Sequence, residues 1–109
     1  GGAVFLFYSA NAFYDGRYAV GVARAASPLG PFTKHGAPIL VTGNGFVGPG
    51  HGSVVTAPSG ERAFVYHAWR EGFVNTFGEG REVLVDRVSW SGGWPVLSGA
   101  PSNAARAYP

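Results

Sequence analysis

The sequence predicts an all-β protein, and three observations lead to that prediction. The 109 residues are 46% hydrophobic, 15% aromatic and only 13% charged, which is too apolar a balance for a disordered chain. Eighteen glycines and eight prolines separate short runs rich in Val, Phe and Tyr, a pattern typical of many strands joined by turns. The length allows one small domain at most.

Composition also argues against several partners. The formal charge is +2, and the eight basic residues are spread along the chain, so no Lys/Arg cluster is available to neutralise phosphates and nucleic acid is not expected as a partner. No apolar run approaches the roughly 20 residues of a membrane span, so no membrane partner is expected. Cysteine is absent, which excludes disulfides and thiolate metal sites. Because methionine is also absent and the chain opens with Gly1-Gly2 before a strand, we expect a processed or truncated segment.

The first half of the chain predicts a small antiparallel sheet. Residues 3–9 (AVFLFYS) form a dense apolar run that predicts a strand buried on both faces. Asp15-Gly16 signals a tight turn, and residues 18–23 (YAVGVA) predict the returning strand. Two prolines in residues 27–32 (SPLGPF) allow only a loop or an edge strand. A short outer strand is predicted at residues 39–41.

The second half predicts four strands. A glycine-rich passage leads into the predicted inner strand at residues 53–56, and a Pro-Ser-Gly turn connects it to residues 62–67 (RAFVYH). Residues 82–90 (EVLVDRVSW) alternate apolar and polar side chains as a half-buried strand does. After a Ser-Gly-Gly turn, residues 94–97 (WPVL) predict the last strand.

A faint internal repeat organises these strands. AVFLFYS matches RAFVYHA in type, and GRYAVGVA and GREVLVDR both open with Gly-Arg before a Val-rich strand. The offset of roughly 60 residues is long but reasonable for a propeller blade. We therefore predict that residues 1–109 form a partial β-propeller domain made of two consecutive antiparallel four-stranded blades. Residues 1–45 are the first blade, which lacks its inner strand, 46–97 are a complete last blade, and 98–109 are a tail.

Five strings carry a resemblance to a known family. GGAVFLFYSAN, YAVGVARAASPLGPF, GPGHGSVV, FVYHAW and GREVLVDRVSWSGGWPVL resemble, in order and spacing, the last two blades of glycoside hydrolase family 43, whose members are five-bladed propellers. The resemblance covers almost the whole chain and implies a C-terminal segment, with the remaining blades upstream. It further implies inverting hydrolysis of arabinofuranosyl or xylosyl linkages in plant cell-wall polysaccharides. An oligo- or polysaccharide substrate and an extracellular or periplasmic location follow from that implication.

The catalytic carboxylates implied by the resemblance fall before Gly1, so none is assigned to this chain. Inverting hydrolysis needs two carboxyl groups roughly 6.5 to 9.5 Å apart. Of the acidic residues present, four fall in predicted turns or loops, while Glu82 and Asp86 share one strand face with backbones ~13 Å apart. Each is expected to be solvated or ion-paired. The four in turns or loops are Asp15, Glu61, Glu71 and Glu79.

His51 and Arg81 are the predicted substrate-binding residues. His51 stands between glycines in GPGHGSVV and matches the family histidine that faces the central channel. In arabinanase-like members that histidine helps to hold a metal ion, usually calcium with waters, whereas elsewhere it mainly hydrogen-bonds within the site. The resemblance thus implies one calcium ion in the central cavity, with His51 as a metal residue. Arg81 matches an arginine that reaches the bound sugar in xylosidase-like members, and nearby Arg87 is a competing choice.

For several other side chains, the sequence is consistent with either a structural or a functional role. His67 and Trp69 are expected to pack between blades with their ring nitrogens hydrogen-bonded. Phe46 and Phe73 fall in glycine-containing loops, where an aromatic ring either stacks on a sugar or caps a blade. Asn11 either reaches the cavity rim or holds a turn.

The sequence is consistent with three functions. The first is an enzyme fragment that supplies cavity walls to an arabinanase, arabinofuranosidase or xylosidase, with arabinose or xylose specificity and endo or exo action left open. The second is a non-catalytic carbohydrate-binding propeller fragment. The third, a different five-bladed enzyme that acts on sucrose, is disfavoured by GPGHGSVV. Trp90 and Trp94 are predicted to pack between blades in each case.

Overall fold

The computed structural model describes residues 2–76 and 78–103, and within them it contains strands and no helix. The strands form three antiparallel sheets, in the orders β1-β2-β3, β4-β5-β6 and β7-β8. Their bounds are β1 Val4–Ala10, β2 Ala19–Ala25, β3 Thr33–Lys34, β4 Phe46–Thr56, β5 Arg62–Arg70, β6 Arg81–Arg87, β7 Ser89–Ser91 and β8 Trp94–Val96. The all-β prediction is confirmed. No helix in these residues is long and apolar enough to cross a membrane.

The first sheet has three strands, but its third strand is not the predicted one. Thr33–Lys34 pairs with β2, whereas Leu40, in the predicted strand 39–41, makes only isolated bridges to Val20 and Gly99. The edge position explains the difference. An edge strand needs hydrogen bonds on one side only, so a strand can begin immediately after the proline-containing loop.

The predicted strand at residues 82–90 breaks at Val88. The backbone N–H of Val88 donates to the carbonyl of Arg62 at 2.9 Å, as the last bond to the second sheet, and its side chain is buried. β7 then pairs with β8 in a separate hairpin. The second blade, predicted with four strands, is therefore corrected to a three-stranded sheet followed by a two-stranded one.

The β7-β8 hairpin packs on the first sheet through aromatic rings. The Phe5 ring centroid lies 5.0 Å from that of Trp90 and 6.4 Å from that of Trp94, both in edge-on geometry. The guanidinium of Arg24 lies 4.3 Å from the centre of the Trp94 ring and donates to the carbonyl of Gly93. The two tryptophans therefore bridge separate sheets, as their predicted packing role requires.

The core lies between one face of the first sheet and one face of the second. Val20 and Val22 from β2 meet Phe64, Tyr66 and Leu84 from the second sheet in one buried cluster. Burial of these side chains is the main source of stability expected for a domain of this size.

β1 is less buried than predicted. Phe5 and Phe7 pack against the core, with the Phe7 and Phe64 rings stacked at 5.4 Å. Leu6 points to the opposite face and is 49% exposed. The prediction of a strand buried on both faces is therefore wrong, because no described element covers the Leu6 face of this edge strand.

The first residues of the predicted tail are hydrogen-bonded to earlier parts of the chain. Asp86 is 2% exposed and accepts hydrogen bonds from the backbone N–H and the hydroxyl of Ser98. The side-chain amide of Asn44 donates to the carbonyl of Pro101 at 2.8 Å. Asp86 is thus buried rather than solvated, and residues 98–101 are attached to β6 and to the segment that precedes β4. Residues 104–109 of the predicted tail lie outside the described residues.

Two glycines in β4 allow aromatic rings to contact its backbone. A Cβ atom added at Gly50 would lie 2.1 Å from the Tyr18 ring, and one added at Gly52 would lie 2.1 Å from the Phe64 ring. Real Cβ atoms do not approach other atoms so closely, so both positions require glycine. The packing of these rings therefore depends on the absence of side chains on both sides of His51.

Gly52→Ala is expected to lower the free energy of unfolding by about 1–3 kcal/mol, the usual cost of overpacking a core. The Phe64 ring that the new methyl group would meet is almost fully buried and cannot move aside. Gly36→Ala is the matched control, because nothing lies within 4 Å of a Cβ at that position and its φ is not positive. Urea denaturation of both variants tests this. Equal stability of the two would contradict the packing argument.

Candidate functional site

His51 occupies a strained position in the middle of β4. The pairing between β4 and β5 shifts register on both sides of it, between Val47 and Gly50 and between Gly50 and Ser53. The φ angle of His51 is 54°, in the left-handed region that non-glycine residues rarely adopt. Such a conformation costs on the order of 1–3 kcal/mol and persists only where the surroundings impose it. Strain of this kind is typical of binding and catalytic sites.

A hydrogen bond to the first sheet holds the backbone of His51 in place. The N–H of His51 donates to the hydroxyl of Ser9, at the end of β1, over 2.9 Å. A pocket of about 130 Å³ lies beside the bond, with Tyr8 and Ser9 on one side and His51 and Ser53 on the other. The side chain of His51 is exposed. A histidine whose backbone is held by Ser9 therefore borders a small pocket between the two sheets.

His67 on β5 lies next to His51. The two imidazole centroids are 5.5 Å apart and the rings are parallel within 7°. The Nδ1 atom of His67 is buried and has no hydrogen-bond partner among the described residues, so the expectation that its ring nitrogens are satisfied is wrong for this atom. Gly50 and Val83 are its cross-strand neighbours, and neither has a side chain that can accept or donate a hydrogen bond.

Arg81 is held between two aromatic rings. Its guanidinium carbon lies 5.3 Å from the centre of the Trp69 ring and 5.4 Å from that of Phe13. The indole N–H of Trp69 donates to the carbonyl of Phe13 at 3.0 Å, which satisfies the Trp69 ring as predicted and fixes the two rings relative to each other. Each ring face attracts the cation. In the part of the chain that the structure describes, Arg81 forms no ion pair.

The structure brings the two predicted site residues together around His67. Arg81 lies opposite Trp69 in the β5-β6 pairing, and His67 is two residues from Trp69, on the same face of the sheet. Burial lowers the pKa of His67, and the positive charge of Arg81 and the neighbouring His51 lower it further. The sequence prediction omitted His67 from the site. The alternation of YHAW, which places His67 and Trp69 on one strand face, was the available signal.

Arg87, the competing choice for Arg81, lies toward the other end of β6. It is opposite Ala63 in the β5-β6 pairing, and its guanidinium forms an ion pair with Glu61 at 3.5 Å. A separation of six strand residues corresponds to roughly 20 Å. Arg87 is therefore not part of the cluster around His51.

The remaining candidates divide between structural and exposed positions. Phe46 is buried in the core and cannot stack on a sugar, whereas Phe73 is exposed. Asn11 adopts a left-handed backbone conformation, and its side-chain amide donates to the carbonyl of Arg17. Asn11 therefore holds the turn after β1, in agreement with its structural interpretation.

Four of the six carboxylates already have local partners. The pKa of Asp15 is held below its usual value by hydrogen bonds from Arg17, and Glu82 is paired with Arg70 at 2.6 Å. Glu61 and Asp86 are occupied by Arg87 and Ser98, as described above. None of these four carboxylates lines the pocket beside His51. No acid/base pair is thus found there among the described residues.

A calcium ion does not fit these residues by themselves. Calcium takes six to eight oxygen ligands, whereas His51 and His67 offer ring nitrogens. Within residues 2–76 and 78–103, no three His, Cys, Asp or Glu side chains are grouped so that they could hold a metal ion. A calcium site at His51 would need oxygen ligands from water or from other parts of the protein.

Comparison with known proteins assigns the chain to a family. The family model described as Glycosyl hydrolases family 43 matches residues 1–95. A solved thermostable family-43 glycoside hydrolase is 35% identical, with a TM-score of 0.84, over 97% of this chain and 34% of that chain. An endo-1,4-beta-xylanase from Bacteroides thetaiotaomicron is 28% identical, with a TM-score of 0.76, over 92% of this chain and 35% of that chain. No significant match is found among curated proteins.

A third solved structure shows the fold alone. An endo-1,5-alpha-L-arabinanase from Thermotoga petrophila is 22% identical, with a TM-score of 0.73, over 96% of this chain and 30% of that chain. The present chain therefore spans about a third of the length of these solved structures.

The His67 imidazole should titrate below its ordinary pKa of 6.5 in the folded protein. Because its folded pKa is lower than its unfolded pKa, His67 should cost stability as the pH falls below about 6.5, until the pH is below the folded value. Arg81→Gln should raise the His67 pKa by removing a nearby positive charge. Arg62→Gln, at the other end of β5, should leave it unchanged. NMR titration of the ring protons measures this, and an unaltered His67 pKa in Arg81→Gln would contradict the electrostatic coupling.

Proposed function

Because the chain belongs to glycosyl hydrolase family 43 over residues 1–95, we propose that it forms one wall of the substrate site of an inverting glycoside hydrolase. The proposed substrates are arabinofuranosyl or xylosyl linkages of plant cell-wall polysaccharides. The observation that carries the proposal is the strained backbone of His51, whose ring lies parallel to that of His67 on the strand face that also carries Arg81. Similarity to a solved endo-1,4-beta-xylanase at 28% identity supports the xylosyl part of this substrate class.

His51 is proposed to orient the sugar in the pocket between the sheets. Its backbone is fixed by Ser9 and its ring has His67 beside it, so few conformations remain to be lost on binding. A prearranged hydrogen-bonding group of this kind contributes to catalysis by positioning the substrate. His51 is therefore proposed to act in binding and orientation, and no proton transfer is assigned to it.

Arg81 is proposed to bind sugar hydroxyl groups. The guanidinium lies over the Trp69 and Phe13 rings, and because Arg81 is exposed its N–H groups are available. A planar guanidinium donates paired hydrogen bonds in a fixed geometry. Neighbouring hydroxyl groups on a pentose ring are spaced suitably for such a pair.

The catalytic acid and base are proposed to come from outside residues 1–109. Inverting hydrolysis requires two carboxyl groups on opposite sides of the scissile bond. Asp15, Glu61 and Glu82 are ion-paired and Asp86 is buried against Ser98. Because these four carboxylates already have partners, we propose that other blades of a five-bladed propeller supply the reacting carboxylates.

A calcium ion in the central cavity and an extracellular or periplasmic location of the protein are further parts of this proposal. A calcium ion in the central cavity would have His51 among its neighbours and would draw its oxygen ligands from elsewhere, and no step of the reaction depends on it here. An extracellular or periplasmic location is proposed because polymeric cell-wall substrates do not enter cells intact.

A non-catalytic carbohydrate-binding role is the second candidate. It is favoured by the lack of an acid/base pair at His51 among the described residues. The two functions differ in one respect: the enzyme needs the two carboxylates from the rest of the protein, whereas the binding module does not.

His51→Asn is expected to lower kcat/KM on aryl arabinosides or xylosides by about hundredfold, the order of loss from misplacing a bound substrate. The assay uses the protein that carries this chain. Asparagine tolerates the left-handed backbone, so the fold should survive while the imidazole is lost. His35→Asn is the control, because His35 lies against Trp94 on the first sheet, away from the pocket. Unchanged kinetics in His51→Asn would contradict the proposed role.

The 109-residue chain by itself is expected to show no glycosidase activity and to associate. Three valines on the outer face of the second sheet are exposed, with Val83 at 74%, Val85 at 49% and Val55 at 44%, and a propeller blade normally covers such a face with its neighbour. Aryl glycoside assays compare the short chain with a chain extended upstream, and light scattering measures its mass. Turnover by the short chain, or a stable monomer, would contradict this prediction.

A further inference from the structure

A second pocket lies at the end of the second sheet where β5 begins, away from His51. It has a volume of about 300 Å³ and is lined by Gly60, Glu61, Arg62, Arg87, Val88 and Trp90. In the strand pairing, Ala63 and Arg87 mark this end, and His67 is four residues further along β5, roughly 13 Å away. The pocket has more than twice the volume of the one beside His51 and shares no residue with it.

The frame of this pocket is held by backbone hydrogen bonds. The turn between β4 and β5 is closed by bonds from the N–H of Ala57 to the carbonyl of Glu61 and from the N–H of Gly60 to the carbonyl of Ala57. The N–H of Val88 donates to the carbonyl of Arg62. A concave surface with a prearranged frame loses little entropy when a ligand binds.

Trp90 offers an aromatic surface in the pocket. Pairing with Pro95 in the β7-β8 hairpin holds the Trp90 backbone, and the indole makes an edge-on contact with Phe5, yet 51% of Trp90 remains exposed. The face of an aromatic ring carries partial negative charge and attracts the weakly positive C–H groups of a sugar ring. An exposed indole is therefore suited to stack on one face of a sugar.

The rim of the pocket supplies hydrogen-bonding groups. Arg87 and Glu61 form a long ion pair at 3.5 Å, with both side chains about half exposed, so each has further donor or acceptor capacity. Arg62 is exposed and forms no ion pair within the described residues. Covering these charges with another sheet would cost desolvation energy without compensation. Arg87 lies on the same strand face as Val83 and Val85, and its charge marks the end of the apolar part of that face.

We propose that this pocket, which we call the Trp90 pocket, is a second carbohydrate-binding site that holds a pentose unit of the polysaccharide away from the site at His51. The indole stacks on the sugar ring, and Arg62, Arg87 and Glu61 hydrogen-bond to its hydroxyl groups. The choice of a pentose polymer rests on the proposed function, whereas the existence of a sugar site rests on the pocket itself.

Affinity electrophoresis of the protein that carries this chain tests the site, in native gels cast with arabinoxylan, with dextran and without polysaccharide. Arabinoxylan presents both candidate pentoses, and dextran is a glucose polymer. Trp90→Ala should weaken retention by arabinoxylan about tenfold, the loss typical of removing a central aromatic anchor. Trp90→Phe keeps an aromatic ring and should retain most of the binding. Thermal denaturation confirms that each variant is folded.

A second measurement separates this site from the one at His51. In Trp90→Ala, the rate on a small aryl glycoside should be unchanged, because that substrate does not reach the Trp90 pocket. In His51→Asn, retention by arabinoxylan should persist even if hydrolysis is lost. The proposal is overturned if the wild-type protein is not retarded by arabinoxylan, or if folded Trp90→Ala is retarded as strongly as wild type. If the wild-type protein is retained by arabinoxylan but hydrolyses no arabinoside or xyloside, that result counts against the proposed function alone.

Discussion

The structure depends on the close approach of two sheets along the glycine-flanked segment of β4. The ring of Tyr18, which directly precedes β2, lies where a side chain at position 50 would be, and the ring of Phe64, from the neighbouring strand β5, lies where one at position 52 would be. Contact at this distance places the backbone of β4 beside the end of β1, where the hydroxyl of Ser9 accepts the N–H of His51. The irregular register of β4 and the left-handed φ of His51 occur in this same stretch. The packing constraint and the candidate site are thus properties of one segment.

The charges around this segment are one-sided. His51, His67 and Arg81 supply imidazoles and a guanidinium, while the carboxylates in the vicinity are engaged elsewhere, as in the pair between Asp15 and Arg17. Burial lowers the pKa of His67, and the positive charge of Arg81 lowers it further. Such a wall complements a site in which carboxylates from other parts of a hydrolase face the same substrate. The proposed division of roles between this chain and the rest of the protein follows from that complementarity.

Aromatic contacts and the last strands connect the sheets at their far ends. Trp94 is covered by Arg24, and Trp90 contacts Phe5 with one edge while much of its surface stays open. The β7-β8 hairpin therefore packs against the first sheet through its aromatic rings, and its Trp90 also lines the Trp90 pocket. Two separate carbohydrate sites on one sheet would allow a polymer to be held while a different part of it is cleaved.

The sequence by itself determined the all-β class, the position of most strands and the family, because alternation and turn residues act locally and are visible in short strings such as RAFVYHA. It also predicted His51 and Arg81 as site residues, through motifs that resemble those of the family. Only the tertiary structure decided that β6 ends at Arg87 and that Asp86 is buried, since both depend on contacts with Arg62 and Ser98. His67 joined the site for the same reason: its ring stacks on a residue from a neighbouring strand across a bulged register. Local patterns report propensity and alternation, whereas register shifts and the partners of buried polar atoms are set by distant parts of the chain.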